Sequence, residues 1–372
     1  MEGIMRNDIK IVIIVVSCIL ILIFILFAMG RKVNVNTDRQ VEGLDQELQE
    51  ILYLAALAPS SHNIQGWKTK VDPKNSLITI EADRSRALSV VDPKNRELFI
   101  SLGCYTETLL YAFMTFGYDA AFSYDDENHR CVVNYSKTAG ERDDNAIELI
   151  KRRHTDKSPF IVGKRIDDSV EHDISGQIPC VEFYPAGCDE YNDIKSATFE
   201  AYEAQAYNGE AAEELSKWLR LSDKEAKETK DGLPAEQLNI YGIKKVLYYL
   251  FTDHESAKGE SFAKQGIETC QKQLESSAGF AVVYGDNNEA ALVECGRDTV
   301  KLWLSLTEQG ISVHPMSYAL EEDRMKQELK TDLNTDSDPQ MILRIGYVND
   351  YGENNGIRRD LANYVSIVSS DL

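Results

Sequence analysis

Neither Gly-x-Gly nor Cys-x-x-Cys occurs anywhere in the chain. The first absence removes the glycine fingerprint of a dinucleotide-binding crossover and the phosphate-cradling P-loop, so any nucleotide must be held another way. The second, with no His-Glu-x-x-His and six histidines that do not cluster, removes the usual dithiol and zinc signatures, and no metal is expected. The seven cysteines (Cys18, Cys104, Cys131, Cys180, Cys188, Cys270 and Cys295) read as scattered buried thiols. Positive charge is also scarce: 40 basic residues face 61 acidic ones, for a net charge of −21. Glu2, Asp8, Arg6 and Lys10 cancel near the start, so the rest of the chain carries the whole excess. That disfavours nucleic acid, which needs a basic footprint. A hydrophobic content of 43% and a charged content of 27% describe an ordinary folded protein, and 372 residues suffice for two lobes.

What is present begins with Ile11–Gly30, a run of 20 residues without a charge. As a helix it would reach ~30 Å, the thickness of a bilayer's hydrocarbon core. Arg31 and Lys32 follow at once and suit a headgroup layer. Ala28-Met29-Gly30 is small-x-small, which also fits a cleaved signal peptide. The run exceeds the usual h-region of about 7–15 residues, which favours an uncleaved anchor in the cell membrane. Arg6 and Lys10 on one side, and Arg31, Lys32 and Arg39 on the other, leave the orientation open. Residues 1–32 are therefore read as an anchor and 33–43 as a polar linker.

Leu44, Leu48, Ile51, Leu52 and Ala55 then recur at helical spacing, and Pro59 ends that helix. Ala58 to Trp67 is expected to be a turn followed by an N-cap, rich in short donors and acceptors. Leu77–Ile80 reads as a strand, 96–116 as a long helix, and the segments around Ala120–Tyr124 and Cys131–Tyr135 as short strands. Residues 163–186 read as short strands and loops, and Lys195 to Glu275 as mostly helical and acidic. Ala278–Tyr284 and Gln340–Tyr347 are core strands. Two stretches match each other: Gly103 aligns with Gly296, Gly117 with Gly310, Thr106 with Thr299 and Leu109 with Leu302, each pair 193 positions apart. This suggests an internal duplication, with two glycine-notched helices packed at the centre of a fused pseudo-dimer. The region about 195–275 has no counterpart in the first half and reads as an insertion.

The densest chemistry lies at Arg152-Arg153-His154-Thr155-Asp156-Lys157-Ser158-Pro159-Phe160. A basic helix end in water is the plain reading of such a run. In so acidic a chain, a fork of guanidinium donors beside an ammonium also fits phosphate oxygens. Further on stand His314-Pro315-Met316-Ser317 and the pair Arg358-Arg359.

These stretches, in this order, resemble the FMN-dependent nitroreductase family, most closely its Acg-like branch, in which two nitroreductase-like halves are fused. The resemblance covers roughly residues 44–365. Pro59-Ser60-Ser61-His62-Asn63-Ile64-Gln65-Gly66-Trp67 is similar to the family's Pro-Ser-x-x-Asn-x-Gln-Pro-Trp, with Gly66 where Pro is usual. Arg153-His154-Thr155-x-Lys157, followed by Phe160, is similar to its flavin-phosphate motif, with one more residue before the Phe. The implied fold is α+β and nitroreductase-like, with halves at 44–142 and 143–372 plus one N-terminal transmembrane helix. A monomeric pseudo-dimer suffices. The resemblance implies that Arg153, His154, Thr155 and Lys157 bind the phosphate and ribityl chain of FMN, with Arg358 or Arg359 also reaching the phosphate. Ser60, Ser61 and Asn63 would border the flavin from the other half. Pro315, Met316 and Ser317 would pass under its ring. The implied activity is an NAD(P)H oxidoreductase that reduces the flavin and then a nitro- or quinone-like acceptor, with no essential protein acid or base. The Acg-like branch implies an alternative: the stretch from Trp218 to Ile240 resembles a lid, and a covered flavin would be sequestered or stored.

Overall fold

The fold is a computed structural model that describes residues 2–368; for 2–12, Ile19, Leu22 and Ile23 it describes the backbone alone. Helix α1 (Glu2–Met29) leads through an irregular linker to α2 (Gln46–Ala56), whose N-terminus is capped by the Asp45 carboxylate. Then come β1 (Trp67–Asp72), β2 (Leu77–Ala82), α3 (Arg96–Thr115), β3 (Tyr118–Asp125), β4 (Arg130–Lys137) and α4 (Asp144–Arg152). The chain continues through α5 (Asp168–Gln177), β5 (Val181–Pro185), α6 (Asp189–Ala206), α7 (Gly209–Trp218), β6 (Leu219–Arg220), α8 (Asp223–Thr229) and β7 (Leu233–Pro234). After α9 (Gly242–Phe251) and α10 (Glu260–Glu275) follow β8 (Gly279–Tyr284), α11 (Glu289–Glu308), β9 (Ser312–Pro315), α12 (Asp323–Asp332), β10 (Pro339–Gly346) and β11 (Val365–Ile367).

Two main sheets result, in the orders β11-β1-β2-β4-β3 and β5-β8-β10-β9. All neighbours are antiparallel except β11, which pairs parallel to β1 with Val365 opposite Thr69. The architecture is α+β. Strand β8 is buried on both faces: Ala281 and Val283 join the core shared by both lobes, while Phe280, Val282 and Tyr284 join a second core with residues of α6 and α10. Burial on two faces is why this strand reads as an unbroken apolar run instead of an alternating one.

Helices α3 and α11 pack against each other at the centre, and the two glycines set their separation. A Cβ on Gly103 would lie 1.9 Å from Val293 O, and one on Gly296 would lie 2.0 Å from Ile100 O. Only hydrogen at these positions lets the backbones approach so closely. The paired glycines read from the sequence are therefore in contact.

Two expectations need correction. The segment 163–186 holds a helix, α5, started by the Asp167 carboxylate accepting from Ser169 N, where strands and loops were expected. The N-cap expected within 58–67 is not made by a side chain. Ser61–Asn63 is a single 3-10 turn, and the Ser60 hydroxyl instead accepts from Gln65 N at 3.1 Å. His62, Asn63 and Gln65 have φ of 46°, 53° and 52°, so the chain reverses sharply into β1. A strand that the sequence reading did not anticipate, β11, completes the first sheet. The expected span Ile11–Gly30 falls almost wholly in α1, though the side chains of Ile11, Val12, Ile19, Leu22 and Ile23 lie outside the described residues. Ile13 to Val16, Leu20, Ile21, Phe24, Ile25 and Phe27 are exposed. Arg96–Thr115 also has the length and hydropathy of a membrane span, but it is a core helix, 78% buried.

Candidate functional site

Helix α2 ends at Ala56, and its last carbonyls need donors. Three stretches of sequence converge there. Arg153 donates to Leu57 O, and its guanidinium lies 4.7 Å from the centroid of the Trp303 ring. Arg358 donates to Ala56 O, to Leu57 O at 3.0 Å and to Asn63 Oδ1 at 3.2 Å. Arg359 reaches past them to Gln65 O at 2.6 Å. Cations at a helix C-terminus also oppose its negative dipole end. Burial pulls Arg153, Arg358 and Arg359 each down to about 10, with the Arg358 charge adding to the effect on Arg153. The structure thus brings the Ser60–Asn63 corner, the basic run and the C-terminal arginine pair together. It spends most of the three guanidinium groups on backbone carbonyls.

Lys157 is different. It is half-buried, and its ammonium has no hydrogen-bond or ion-pair partner among the described residues. Burial alone lowers it to about 8. Its charge is felt by two imidazoles, that of half-buried His62 after α2 and that of buried His314 on β9. Burial holds both histidines neutral, and Lys157 pushes them further the same way, with Arg344 also acting on His314. The Nδ1 atoms of His62 and His314 are buried without a partner. An unpaired buried polar atom costs about 1–3 kcal/mol, so these two atoms, within the electrostatic reach of an ammonium that has no partner, mark a place suited to an anion or a polar ligand. Arg344, fully buried on β10, holds the loop that presents Lys157: it donates to Ser158 O at 2.9 Å and Gln273 O at 2.7 Å. Neither His314 nor Arg344 was singled out from sequence. The available signal for Arg344 was a lone charge inside an apolar strand, which is rarely buried without a task.

The other expected residues lie around this point. Thr155 is exposed and bridges Val313 on β9, and Asp156 accepts from the Ser312 hydroxyl at 2.8 Å. His154 points away, with Nδ1 2.8 Å from Arg152 O and its ring against Tyr351. Pro315 ends β9. Met316 N donates to Ile342 O at 2.8 Å, so that amide is already used, whereas Ser317 N has no acceptor among the described residues. The Ser61 hydroxyl donates to Glu97, which lies close to Asp92 and Glu321. Burial and the Glu97 charge push Asp92 up to about 7 and Glu321 well above its usual range. The segment after Trp218 closes over the corner from outside. Asn63 Nδ2 donates to Gly232 O at 3.0 Å, and Gln65 Nε2 to Lys230 O at 3.0 Å. Arg86 binds Ile64 O at 2.6 Å and pairs with Asp231. A groove of about 560 Å³ beside this segment is lined by Glu210, Glu213 and Glu214, and it shares no residue with the Lys157 cluster.

No protein-family model matches the chain. Over 74 residues it is 36% identical to the "Probable NAD(P)H nitroreductase PigM" of Serratia sp. (strain ATCC 39006), which is 20% of this chain and 21% of that protein. Over 120 residues it is 28% identical to the "Putative NAD(P)H nitroreductase Rv3131" of Mycobacterium tuberculosis (strain ATCC 25618 / H37Rv), 31% of this chain and 34% of that protein. The chain thus spans about a fifth to a third of the length of the curated relatives it matches. The crystal structure of the FMN-dependent nitroreductase NfnB from Mycobacterium smegmatis in complex with NADPH matches with a TM-score of 0.37 at 14% identity. That match covers 61% of this chain and 99% of the other. Part of this chain is similar to nitroreductases.

The residues present fit the anionic end of a flavin mononucleotide. Lys157 offers a charge without a counter-ion, His62 and His314 offer polar edges without partners, and Thr155 offers an exposed hydroxyl. Among the described residues, no group of three His, Cys, Asp or Glu is placed to hold a metal.

Proposed function

We propose that this chain is a membrane-anchored, FMN-binding oxidoreductase of the nitroreductase type. It would take reducing equivalents from NAD(P)H and pass them to a nitro- or quinone-like acceptor. The observation that carries the proposal is the unpaired Lys157 ammonium, whose charge acts on the partnerless imidazoles of His62 and His314. When bound, FMN supplies the hydride chemistry. The chain's own part is to bind and orient. Lys157, with the Thr155 hydroxyl, takes the phosphate; Ser317 N and Asn63 stand near the ring edge; Arg153, Arg358 and Arg359 fix the corner at Leu57–Trp67 that frames the site. No side chain is assigned a proton-transfer step. The exposed apolar side chains of α1, followed by Arg31 and Lys32, support its placement across a bilayer.

A second reading has its own support. Lys230 and Gly232 are bonded to Gln65 and Asn63, so the lid is latched onto the corner that would border the flavin. Closed in this way, the protein would retain FMN and turn it over slowly or not at all. The full-length protein, purified in detergent and supplied with FMN, separates the two. An oxidoreductase turns yellow and is bleached by anaerobic NADPH; a flavin store turns yellow and stays so. A protein that remains colourless after incubation with FMN overturns both.

A further inference from the structure

Helix α9 carries an apolar stripe that the rest of the chain leaves bare. Ile243, Leu247, Leu250 and Phe251 fall on one face at helical spacing and are 52%, 46%, 62% and 77% exposed. Lys245 and Val246 face inward and are buried. These exposures are measured with α1 in place, so α1 does not cover the stripe. Four large apolar side chains on one short helix are more than the scattered surface residues of a soluble face.

The position of α9 shows what meets that stripe. Its first residue is fastened to the point where α1 ends: Gly242 N donates to Gly30 O at 3.2 Å. A Cβ on Gly30 would lie 2.8 Å from the Gly242 carbonyl carbon, so the two backbones touch. The fully buried Lys245 ammonium then donates to Arg31 O and to Glu236 Oε1, each at 2.7 Å. The same Glu236 oxygen accepts from Val33 N at 2.8 Å. Each of these hydrogen bonds lies at 30–33, where the apolar run gives way to Arg31 and Lys32, and α9 also packs against α1 itself. Ten residues of helix reach only about 15 Å, too short to cross a bilayer but suited to lying along its surface. Exposed Lys244 stands beside the stripe, and Tyr241 is 43% exposed at its start. A cation and an aromatic belong at the headgroup level.

We propose that α9 is a second membrane-contacting element. It lies flat in the interface at the foot of α1, with Ile243, Leu247, Leu250 and Phe251 in the acyl boundary. This rests on reading α1 as a bilayer-spanning anchor. One consequence is orientation. A single span lets the body swivel, whereas a span plus an interfacial helix fixes it, with the lid end joined to α9 through Glu236 nearest the lipid.

The test uses the full chain reconstituted in phospholipid vesicles, with a tryptophan reporter added by Phe251→Trp or, separately, by Leu247→Trp or Phe24→Trp. The emission of the parent, from Trp67, Trp218 and Trp303, is subtracted. The expected result is that lipids brominated near the headgroup end of the acyl chain quench most of the emission added by Phe251→Trp and Leu247→Trp, and aqueous iodide quenches little. Phe24→Trp should respond to deeper bromines. If Phe24→Trp is quenched by lipid but both α9 reporters are quenched only by iodide, the inference fails and the anchor stands. If the α9 reporters are shielded from both quenchers, a protein surface covers the stripe and the inference fails. If Phe24→Trp is quenched only by iodide, the anchor fails and takes the inference with it.

Discussion

Lys157 weakens the fold that contains it. Burial without a counter-charge lowers it from the ordinary 10.5 to about 8. Between those values the unfolded chain holds a proton that the folded chain has released, so this group's contribution to stability rises with pH across that window. A ligand anion reverses the balance, because it needs the charged form. Lys157→Met is therefore expected to raise the melting temperature of the FMN-free protein below pH 8 and to abolish that slope. It should also weaken FMN binding roughly 10- to 100-fold, from the loss of about 1.5–3 kcal/mol for a hydrogen bond to a charged group. Parent affinity should fall as pH rises through about 8, and the variant's should not. A variant that melts lower and binds FMN equally well would remove Lys157 from the site. Asp92 carries the opposite sign. Its folded value lies above its ordinary 3.8, so the stability it contributes is complete below that value and lost as pH rises through about 7. Asp92→Asn retains an acceptor for Leu98 N and should flatten the fall in melting temperature between about pH 4 and pH 7, the window set by the two values. Sequence pattern singled out Lys157 as a candidate, and the structure leaves its ammonium without a partner among the described residues. The pattern did not reveal that Arg153 and Arg358 donate to carbonyls, because that depends on α2 ending beneath them. Nor did it reveal that His314 is buried with its Nδ1 unpartnered and within reach of the Lys157 charge, because that depends on where β9 lies in the fold.

At the scale of elements, the clearest signal was steric. A glycine inside a helix costs about 1 kcal/mol relative to alanine, and two such helices with matching glycines imply a close crossing. The contact of Gly103 with Val293 O bears this out. Gly103→Ala should cost about 1–3 kcal/mol through overpacking, read as a lower urea midpoint with an unchanged slope. Gly176→Ala, in α5 with open space around it, should be neutral or gain up to about 1 kcal/mol. Equal midpoints for the two variants would mean that the notch is not tight. Helix α5 itself was missed because Asp168–Gln177 is polar and buries only Ile174, too little to set a helical period. Strand β11 was missed for a different reason. Three residues carry almost no pattern, and their pairing with β1 is set by the long path of the chain rather than by local preference.

At the scale of the whole molecule, that path decides what the site can do. By returning to the first sheet, the C-terminus lays Ile357–Arg359 across the end of α2 and the Asn63–Gln65 corner. The lid then closes on the same corner from the other side. One of its ties to the body is Arg86, which binds Ile64 O and Asp231 and sits 5.3 Å from the centroid of the Trp218 ring. The lid's internal pair, Arg220 with Asp231 at 2.6 Å, does not depend on it. Arg86→Gln therefore removes one tie between the 218–240 segment and the body without dismantling the segment, leaving the bonds from Asn63 and Gln65 and the Lys230–Asp360 ion pair. The lost charge-assisted bond is worth about 1.5–3 kcal/mol, so the open population should rise roughly 10- to 100-fold. Proteolytic cleavage between residues 219 and 240 should accelerate by that factor. If lid closure is what keeps nicotinamide from the flavin, anaerobic reduction by NADPH should accelerate in parallel. Faster cleavage without faster reduction would mean that the lid moves but does not gate the site, which would remove the physical basis of the flavin-store reading. Unchanged cleavage would mean that Arg86 is not the latch, and that the remaining ties, from Asn63, Gln65 and the Lys230–Asp360 pair, hold the segment.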